Sequence, residues 1–229
     1  MTTNLTDEFV KKHTLMECLK EFDGAHGNTE EQKLKSLEKP FEMLAKKMIY
    51  GGYFEVSNNG KTLYRVYIHT IEFYYHEEDN GDLKDWIVYH RNPIKGLPKP
   101  LFEVGTLHSH VSGIDITFEG KHPKKYLYRA SALIRKFKVK EGDSDEFIKF
   151  NKPKDANYPD VEEYPTHLYE YLFMKTPLTD IRVQWIDLEF NKAQVTSNYR
   201  INVCKYNNGK KIKDSQDERK WSFSSMVVF

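Results

Sequence analysis

The stretch Thr62-Leu-Tyr-Arg-Val-Tyr-Ile-His-Thr-Ile-Glu-Phe-Tyr-Tyr75 decides the fold predicted for this chain. Most of its residues are β-branched or aromatic, which favours one long strand. Side chains alternate between the two faces of a strand. One face is therefore predicted to carry Tyr64, Val66, Ile68, Thr70, Glu72 and Tyr74. Glu72 ends a largely apolar face, so we expect its carboxylate to be paired or kept for chemistry.

A hairpin is predicted at the start of this strand. Tyr53 to Ser57 forms the partner, and Asn58-Asn59-Gly60 forms the turn, because Asn-Gly is the strongest short hairpin signal. The second strand is longer than the first. Its far end must therefore pair with another strand.

The remaining pattern places helices first and strands after them. Helices are predicted at Asp7 to Phe22, from Asn28 or Thr29 to Glu38, at Pro40 to Met48, and at Pro165 to Met174. Further strands are predicted at Phe102 to His110, Ile114 to Phe118, Tyr128 to Val139, Ile181 to Phe190, Tyr199 to Cys204, and Trp221 to Phe229. This order predicts an α+β fold with a curved, mostly antiparallel sheet. Residues 1–38 are expected to form a helical extension, and residues 39–229 a single domain.

Composition limits the function classes. The chain has 229 residues, a formal net charge of +1 and 14% aromatic residues. The near-neutral charge argues against a dedicated nucleic-acid binder, although a local basic face remains open. Cys18 and Cys204 lie far apart with no metal-ligand spacing, which favours a reducing compartment. No signal peptide or membrane-spanning run is recognised, so we expect a cytoplasmic protein, and a monomer.

Glu72, Tyr74 and Arg135 form the first candidate site. Glu72 and Tyr74 are two residues apart, so both side chains point into one space. Arg135 is predicted to share a strand face with Leu133 and Phe137. The carboxylate and the arginine could hold one water between them, and the tyrosine could stack on a flat ring beside that water. Such a trio suits hydrolysis at a carbon next to an aromatic base. The alternative is a buried Glu–Arg pair with a core tyrosine.

His108-Ser-His110 is the second candidate site. Two histidines at i and i+2 share one face of a strand and can hold a metal. With Glu72 and Asp115, the segment resembles a JAMM-type metalloprotease site. The spacing differs, because Asp115 follows too soon and Val111 replaces the usual proline. Two hydrogen-bonded histidines are therefore favoured, with a metal-dependent hydrolase as the alternative.

The order of several segments resembles the alkyladenine (3-methyladenine) DNA glycosylase family. These segments are Pro40-Phe-Glu-Met-Leu-Ala-Lys-Lys-Met-Ile49, Tyr67-Ile-His-Thr-Ile-Glu-Phe-Tyr74, Glu78-Asp79, Gly105-Thr-Leu107, Ser112-Gly113 and Ala132-Leu-Ile-Arg135. The resemblance covers roughly residues 40–137 and includes an uncharacterised microbial branch with a similar Gly113-Ile-Asp-Ile-Thr-Phe118 segment.

The resemblance implies excision of a base that is extruded from the stack. Glu72 would activate water, Arg135 would hold that water, and Tyr74 would stack on the base. His90 and His110 would be pocket residues. No cofactor is implied. The partner would be duplex DNA with a damaged base. The alternative is a protein of the same fold without repair activity, which binds or hydrolyses another nucleoside-like ligand.

The segment after His110 departs from the family. The family has a hairpin there whose tip wedges into the duplex, whereas this segment is short and is predicted to carry no aromatic or apolar wedge. A basic face for phosphates would have to come from one set of residues, namely Lys121, Lys124, Lys125, Arg129, Lys136 and Lys138.

Overall fold

A computed structural model describes most of the chain. The described residues are 4–79, 81–122, 126–150, 158–174, 181–207, 209–213 and 215–226. The model has α-helices in its N-terminal part and an antiparallel sheet after them, which confirms the predicted α+β class.

Two short helices open the chain where one was predicted. Helix α1 spans Asp7–Lys12 and α2 spans Leu15–Lys20. The predicted single helix is wrong because His13 is extended and Thr14 begins a new helix. Thr14 and Glu17 form a reciprocal capping box, which satisfies two N-terminal backbone groups.

Helix α3 spans Glu30–Tyr50, so the two helices predicted here are one. Thr29 caps it, and Pro40 lies inside it. Proline in a helix interior removes one hydrogen bond and is normally disruptive. Pro40 is buried beside Phe41 and Leu44, so packing against the sheet holds the helix together. The predicted boundary between residues 38 and 39 falls inside this helix.

Nine strands of the described residues form the main sheet. They are β1 (Gly52–Asn58), β2 (Lys61–Glu77), β3 (Leu107–His110), β4 (Gly113–Thr117), β5 (Gly120–Lys121), β6 (Leu127–Glu141), β7 (Ile181–Asp187), β8 (Val195–Asn198) and β11 (Ser222–Ser225). The path runs β3-β4-β6-β2-β1-β7, with β11 between β2 and β8, and β5 beside β6. A separate pair consists of β9 (Tyr206–Asn207) and β10 (Lys210–Lys211). All pairings among the described strands are antiparallel, and the main sheet curls into a half-barrel.

Strand β2 is the centre of the sheet, as its length predicted. Its first half pairs with β1, and beyond that half it pairs with β11 at Thr70 to Glu72. On its other edge, it pairs with β6 from Tyr64 to Glu77. The predicted hairpin and the need for a second partner are both confirmed.

The C-terminal part differs from its prediction at two segments. Tyr199 to Cys204 is a loop and not a strand, because the Ile201 backbone bonds to the Glu72 and Arg135 side chains and not to a neighbouring strand. A short 3₁₀ turn at Pro165–His167 and a π-helical turn at Glu170–Met174 replace the predicted helix. The last predicted strand is present as β11, and residues 227–229 of that prediction lie outside the described residues.

An irregularity in β2 decides where Glu72 points. The register with β6 shifts between Ile68 and Ile71. Both of these residues belong to the core that faces the helices. They are three residues apart, and in a regular strand they would lie on opposite faces. The alternation of side chains is therefore reversed after the irregularity, and Glu72 and Tyr74 point away from the helices. The predicted common face of Val66, Ile68, Glu72 and Tyr74 is wrong for this reason.

Strand β6 has the matching irregularity. Ile134 and Phe137 both lie in the helix-facing core, whereas Leu133 packs with Tyr74 on the other side. Arg135 therefore shares a face with Leu133 and not, as predicted, with Phe137. The two irregularities turn Glu72 and Arg135 to the same side of the sheet.

Candidate functional site

A cavity of about 220 Å³ lies on the sheet face opposite the helices. Three of the five predicted site residues line it: Tyr74, His110 and Arg135. Tyr89, Ser112 and Asp115 add further polar groups, and Leu133 and Val88 supply apolar wall. Residues predicted from separate strands thus meet at one cavity.

Glu72 lies directly behind the cavity wall. It is fully buried, and both of its carboxylate oxygens accept hydrogen bonds. Arg135 Nε donates to Oε2 over 2.5 Å, and the Tyr74 hydroxyl donates to the same oxygen over 2.7 Å. The Ile201 backbone N–H donates to Oε1. The predicted neighbours of Glu72 are therefore in direct contact with it.

Arg135 joins Glu72 to the loop after β8. Its Nη2 donates to the Ile201 carbonyl oxygen over 3.0 Å. Burial opposes the charge on Arg135, but Tyr74 and Glu72 outweigh it, so the pKa of Arg135 is raised. Burial and the Glu72 charge raise the pKa of Tyr74 well above its usual value. Tyr74 therefore keeps its proton and acts as a donor. We call Glu72, Tyr74, Arg135 and the Ile201 backbone the carboxylate cluster.

Arg200 was missed by sequence reasoning. Its guanidinium lies 4.9 Å from the Tyr74 ring centroid, and it is fully buried. It donates to Asp85 over 2.6 Å and to Asp217 over 3.0 Å. One face of Tyr74 is thus covered by a paired cation, and the ring is held in position from behind.

His90 and His110 occupy different positions. His110 lines the cavity and stacks on Tyr89 at a centroid distance of 4.1 Å. His90 is buried behind the wall, where its Nδ1 contacts Glu119 and its Nε2 lies 4.0 Å from Asp115 Oδ2. His90 was predicted as a pocket residue, but it reaches the cavity only through Asp115.

The β3–β4 hairpin brings His108, His110 and Asp115 together. The register pairs His108 with Asp115 across the hairpin, so their side chains share one face. One ligand-type atom from each of the three lies within 4.8 Å of the other two. Burial, with His90 nearby, lowers the pKa of His108, so its imidazole is kept neutral. We call these three residues the His/Asp cluster.

The hairpin tip carries Val111, in the segment that was predicted to lack an aromatic or apolar wedge. Val111 is 83% exposed at the turn, next to Ser112 in the cavity wall. A small apolar tip is nevertheless present beside the cavity.

The predicted basic face loses two of its members. Arg129 is fully buried and pairs with Glu78 and Glu119. Lys138 is buried and lies 2.8 Å from Asp160. Lys121 is exposed, Lys136 pairs with Glu163, and Lys124 and Lys125 lie outside the described residues.

Comparisons with known proteins do not assign the chain to a family. No family model, no curated protein and no solved structure matches it. Within the described part of the chain, the helices are too short or too polar to cross a membrane. The function must therefore be argued from the cavity itself.

Proposed function

We propose that the protein hydrolyses the N-glycosidic bond of a modified purine, with Glu72 as the general base. One arrangement supports this proposal. Glu72, Tyr74 and Arg135, which the glycosylase resemblance singles out, converge at one cavity together with the Ile201 backbone.

The proposed reaction uses water and no cofactor. Glu72 takes a proton from water as the water oxygen attacks the sugar C1′, and the bond between C1′ and the base nitrogen breaks. The base leaves with the bonding electrons. Leaving is easiest for an alkylated purine, because its positive charge is neutralised by those electrons. Arg135 and the Ile201 carbonyl would position the water.

Water must be able to reach Glu72. Arg135 and Tyr74 both line the cavity, and both contact Glu72 Oε2. A ligand that engages either side chain would free one position on that oxygen. Catalytic hydrogen bonds often reach their working geometry only when substrate is bound, so the contacts of the free protein do not rule out a base role for Glu72.

The cavity suits one flat ring. Its volume of about 220 Å³ lies below the range of about 300–1,000 Å³ that is typical for drug-sized ligands. Leu133 and Val88 provide apolar wall, and Tyr89 stacked on His110 provides an aromatic wall. An extruded base fits this description better than a whole nucleotide.

The position of Val111 favours a base that is presented by DNA. Apolar side chains that insert between base steps unstack them. Val111 is exposed at the tip of the hairpin that also supplies His110 and Ser112 to the cavity. A free nucleoside would have no use for such a tip.

The cytoplasmic location and the monomeric state remain predictions.

The test is release of hypoxanthine or 3-methyladenine from damaged duplex, from damaged single strand and from the free nucleoside, at low salt. The wild-type protein is expected to release base, and Glu72→Gln to lower the rate by about 100-fold or more. Glu55→Gln is the matched control, because Glu55 is a partly buried carboxylate on β1, away from the cavity.

Val111→Ser separates the substrates. It is expected to slow release from duplex while leaving release from the free nucleoside unchanged. If the wild-type protein releases no base from any substrate, the proposed reaction is wrong and ligand binding or a structural pair remains.

A further inference from the structure

A second feature of the cavity wall goes beyond the proposed reaction, which uses no metal. The His/Asp cluster lies on one hairpin, β3–β4, whose two-residue turn fixes the register. His108 and His110 share a face because they are two residues apart, and Asp115 faces His108 from the paired strand. The backbone therefore directs three metal-ligand side chains to one point.

The polar atoms of this cluster are poorly satisfied. Among the described residues, His108 Nδ1, His110 Nε2 and Asp115 Oδ1 are buried and make no hydrogen bond. His110 Nε2 and Asp115 Oδ1 are in ion-pair contact at 3.2 Å, and Asp115 is only 3% exposed. Buried polar atoms almost always have hydrogen-bond partners, so three such atoms in one cluster indicate a missing ligand.

The separations suit a transition metal. Nitrogen and oxygen ligands lie about 2.0–2.2 Å from zinc, which places neighbouring tetrahedral ligands roughly 3.3 Å apart. The 3.2 Å between His110 Nε2 and Asp115 Oδ1 matches this spacing. The remaining separations, up to 4.8 Å, need only small side-chain movements.

The surroundings of Asp115 resemble the supporting shell of a metal site. Its Oδ2 accepts a hydrogen bond from Ser131 over 3.2 Å, which leaves Oδ1 for a cation. Behind it, His90 is held by Glu119, and Glu119 is held by Arg129 over 2.8 Å. Such outer partners fix the orientation of ligands.

One hydrogen bond must change for His110 to bind through Nε2. Its Nδ1 accepts from the Ser112 backbone N–H over 3.2 Å. Ligation through Nε2 places the proton on Nδ1 and breaks this long bond. The Ser112 N–H lies in the partly buried hairpin turn, beside the cavity.

We propose that His108, His110 and Asp115 bind one divalent transition-metal ion of the zinc type. Three protein ligands leave one coordination position open, which is the pattern of catalytic and not of structural zinc sites. His110 and Asp115 line the cavity, so the open position would face a bound ligand.

The test is a zinc titration, monitored by calorimetry, of the full chain after a chelator has removed any bound metal. Wild-type protein is expected to bind one zinc per chain. His108→Asn and Asp115→Asn are each expected to weaken binding by about 10- to 100-fold or more. His167→Asn is the matched control, because His167 is a half-exposed histidine beside Glu162 and outside the cavity.

A second measurement covers the case in which the variants fold poorly. Cobalt bound to the wild-type protein should show the intense visible absorption of four-coordinate nitrogen and oxygen ligands. Absence of tight zinc binding by the wild type, or unchanged binding in both folded variants, overturns the proposal. Both measurements report metal binding and not base release. Their outcome is therefore independent of whether the proposed reaction occurs.

Discussion

The two polar clusters on the cavity wall differ in how their polar atoms are paired. In the carboxylate cluster, Glu72 accepts hydrogen bonds from Arg135, Tyr74 and the Ile201 backbone. In the His/Asp cluster, His108 Nδ1, His110 Nε2 and Asp115 Oδ1 make no hydrogen bond among the described residues, and the last two are only in ion-pair contact. Both clusters are largely buried, so burial does not explain the difference.

This difference indicates different roles for the two clusters. A buried polar group without a partner costs about 1–3 kcal/mol, whereas a satisfied one does not. The carboxylate cluster can therefore hold its geometry by itself and be ready before a ligand arrives. The His/Asp cluster, under the proposal of a bound metal, would instead be stabilised by its ligand.

The largest effect is expected from breaking the satisfied cluster. Arg135→Met leaves Glu72 buried without its cation, which should lower the free energy of unfolding by about 3–5 kcal/mol. Urea denaturation measures this change. The double variant Glu72→Gln/Arg135→Met should lose less than the sum of the two single variants, because the partners are coupled. A loss below about 1 kcal/mol in Arg135→Met would show that the pair is not important for stability.

An intermediate effect is expected at the strand irregularity that turns Glu72 toward the cavity. Burial lowers the pKa of His69 to about 4, and the nearby Lys138 and Lys136 act in the same direction. In the folded state, His69 therefore stays neutral until the pH falls to about 4. In the unfolded chain, His69 binds a proton once the pH falls below the ordinary histidine pKa of about 6.5. Stability contributed by the neutral ring is complete above that pKa and is lost as the pH falls toward 4.

The measurement compares unfolding near pH 7 and near pH 4.5. The wild type should lose about 2 kcal/mol through His69, and His69→Asn should recover that part of the loss. His167→Asn serves as the control for the loss of a histidine away from the strand irregularity. Equal acid sensitivity in wild type and His69→Asn would contradict the expectation.

Local signals made much of the fold predictable. Asn59-Gly60 and the β-branched run after it predicted the hairpin and the long strand, because both depend on neighbouring residues alone. The convergence of Tyr74 and Arg135 was anticipated through the family resemblance. The face on which they meet was not, because the irregularities near His69 and Arg135 depend on how β2 and β6 pair.

Two parts of the site had weaker signals in the sequence. The Ile201 contacts use backbone atoms, which have no residue signature, and they depend on where the loop after β8 returns. Asp115 was considered beside the two histidines but set aside, because it follows them too soon for a JAMM-type site. A two-residue turn at Val111 and Ser112 places His108 opposite Asp115, so a count along the hairpin would have brought the three side chains together.

The smallest effect is expected in the unsatisfied cluster when no metal is present. Asp115→Asn keeps the shape of the side chain and can still accept the Ser131 hydrogen bond. In chelator-treated protein it should change the free energy of unfolding by less than about 1 kcal/mol, because Oδ1 accepts no hydrogen bond and loses only its ion-pair contact with His110. Zinc at about 100 times its dissociation constant should stabilise the wild type by about 2.7 kcal/mol and leave Asp115→Asn almost unchanged. If Asp115→Asn instead destabilises the metal-free protein as much as Arg135→Met does, Asp115 is already paired with a protonated histidine, and the two clusters are alike.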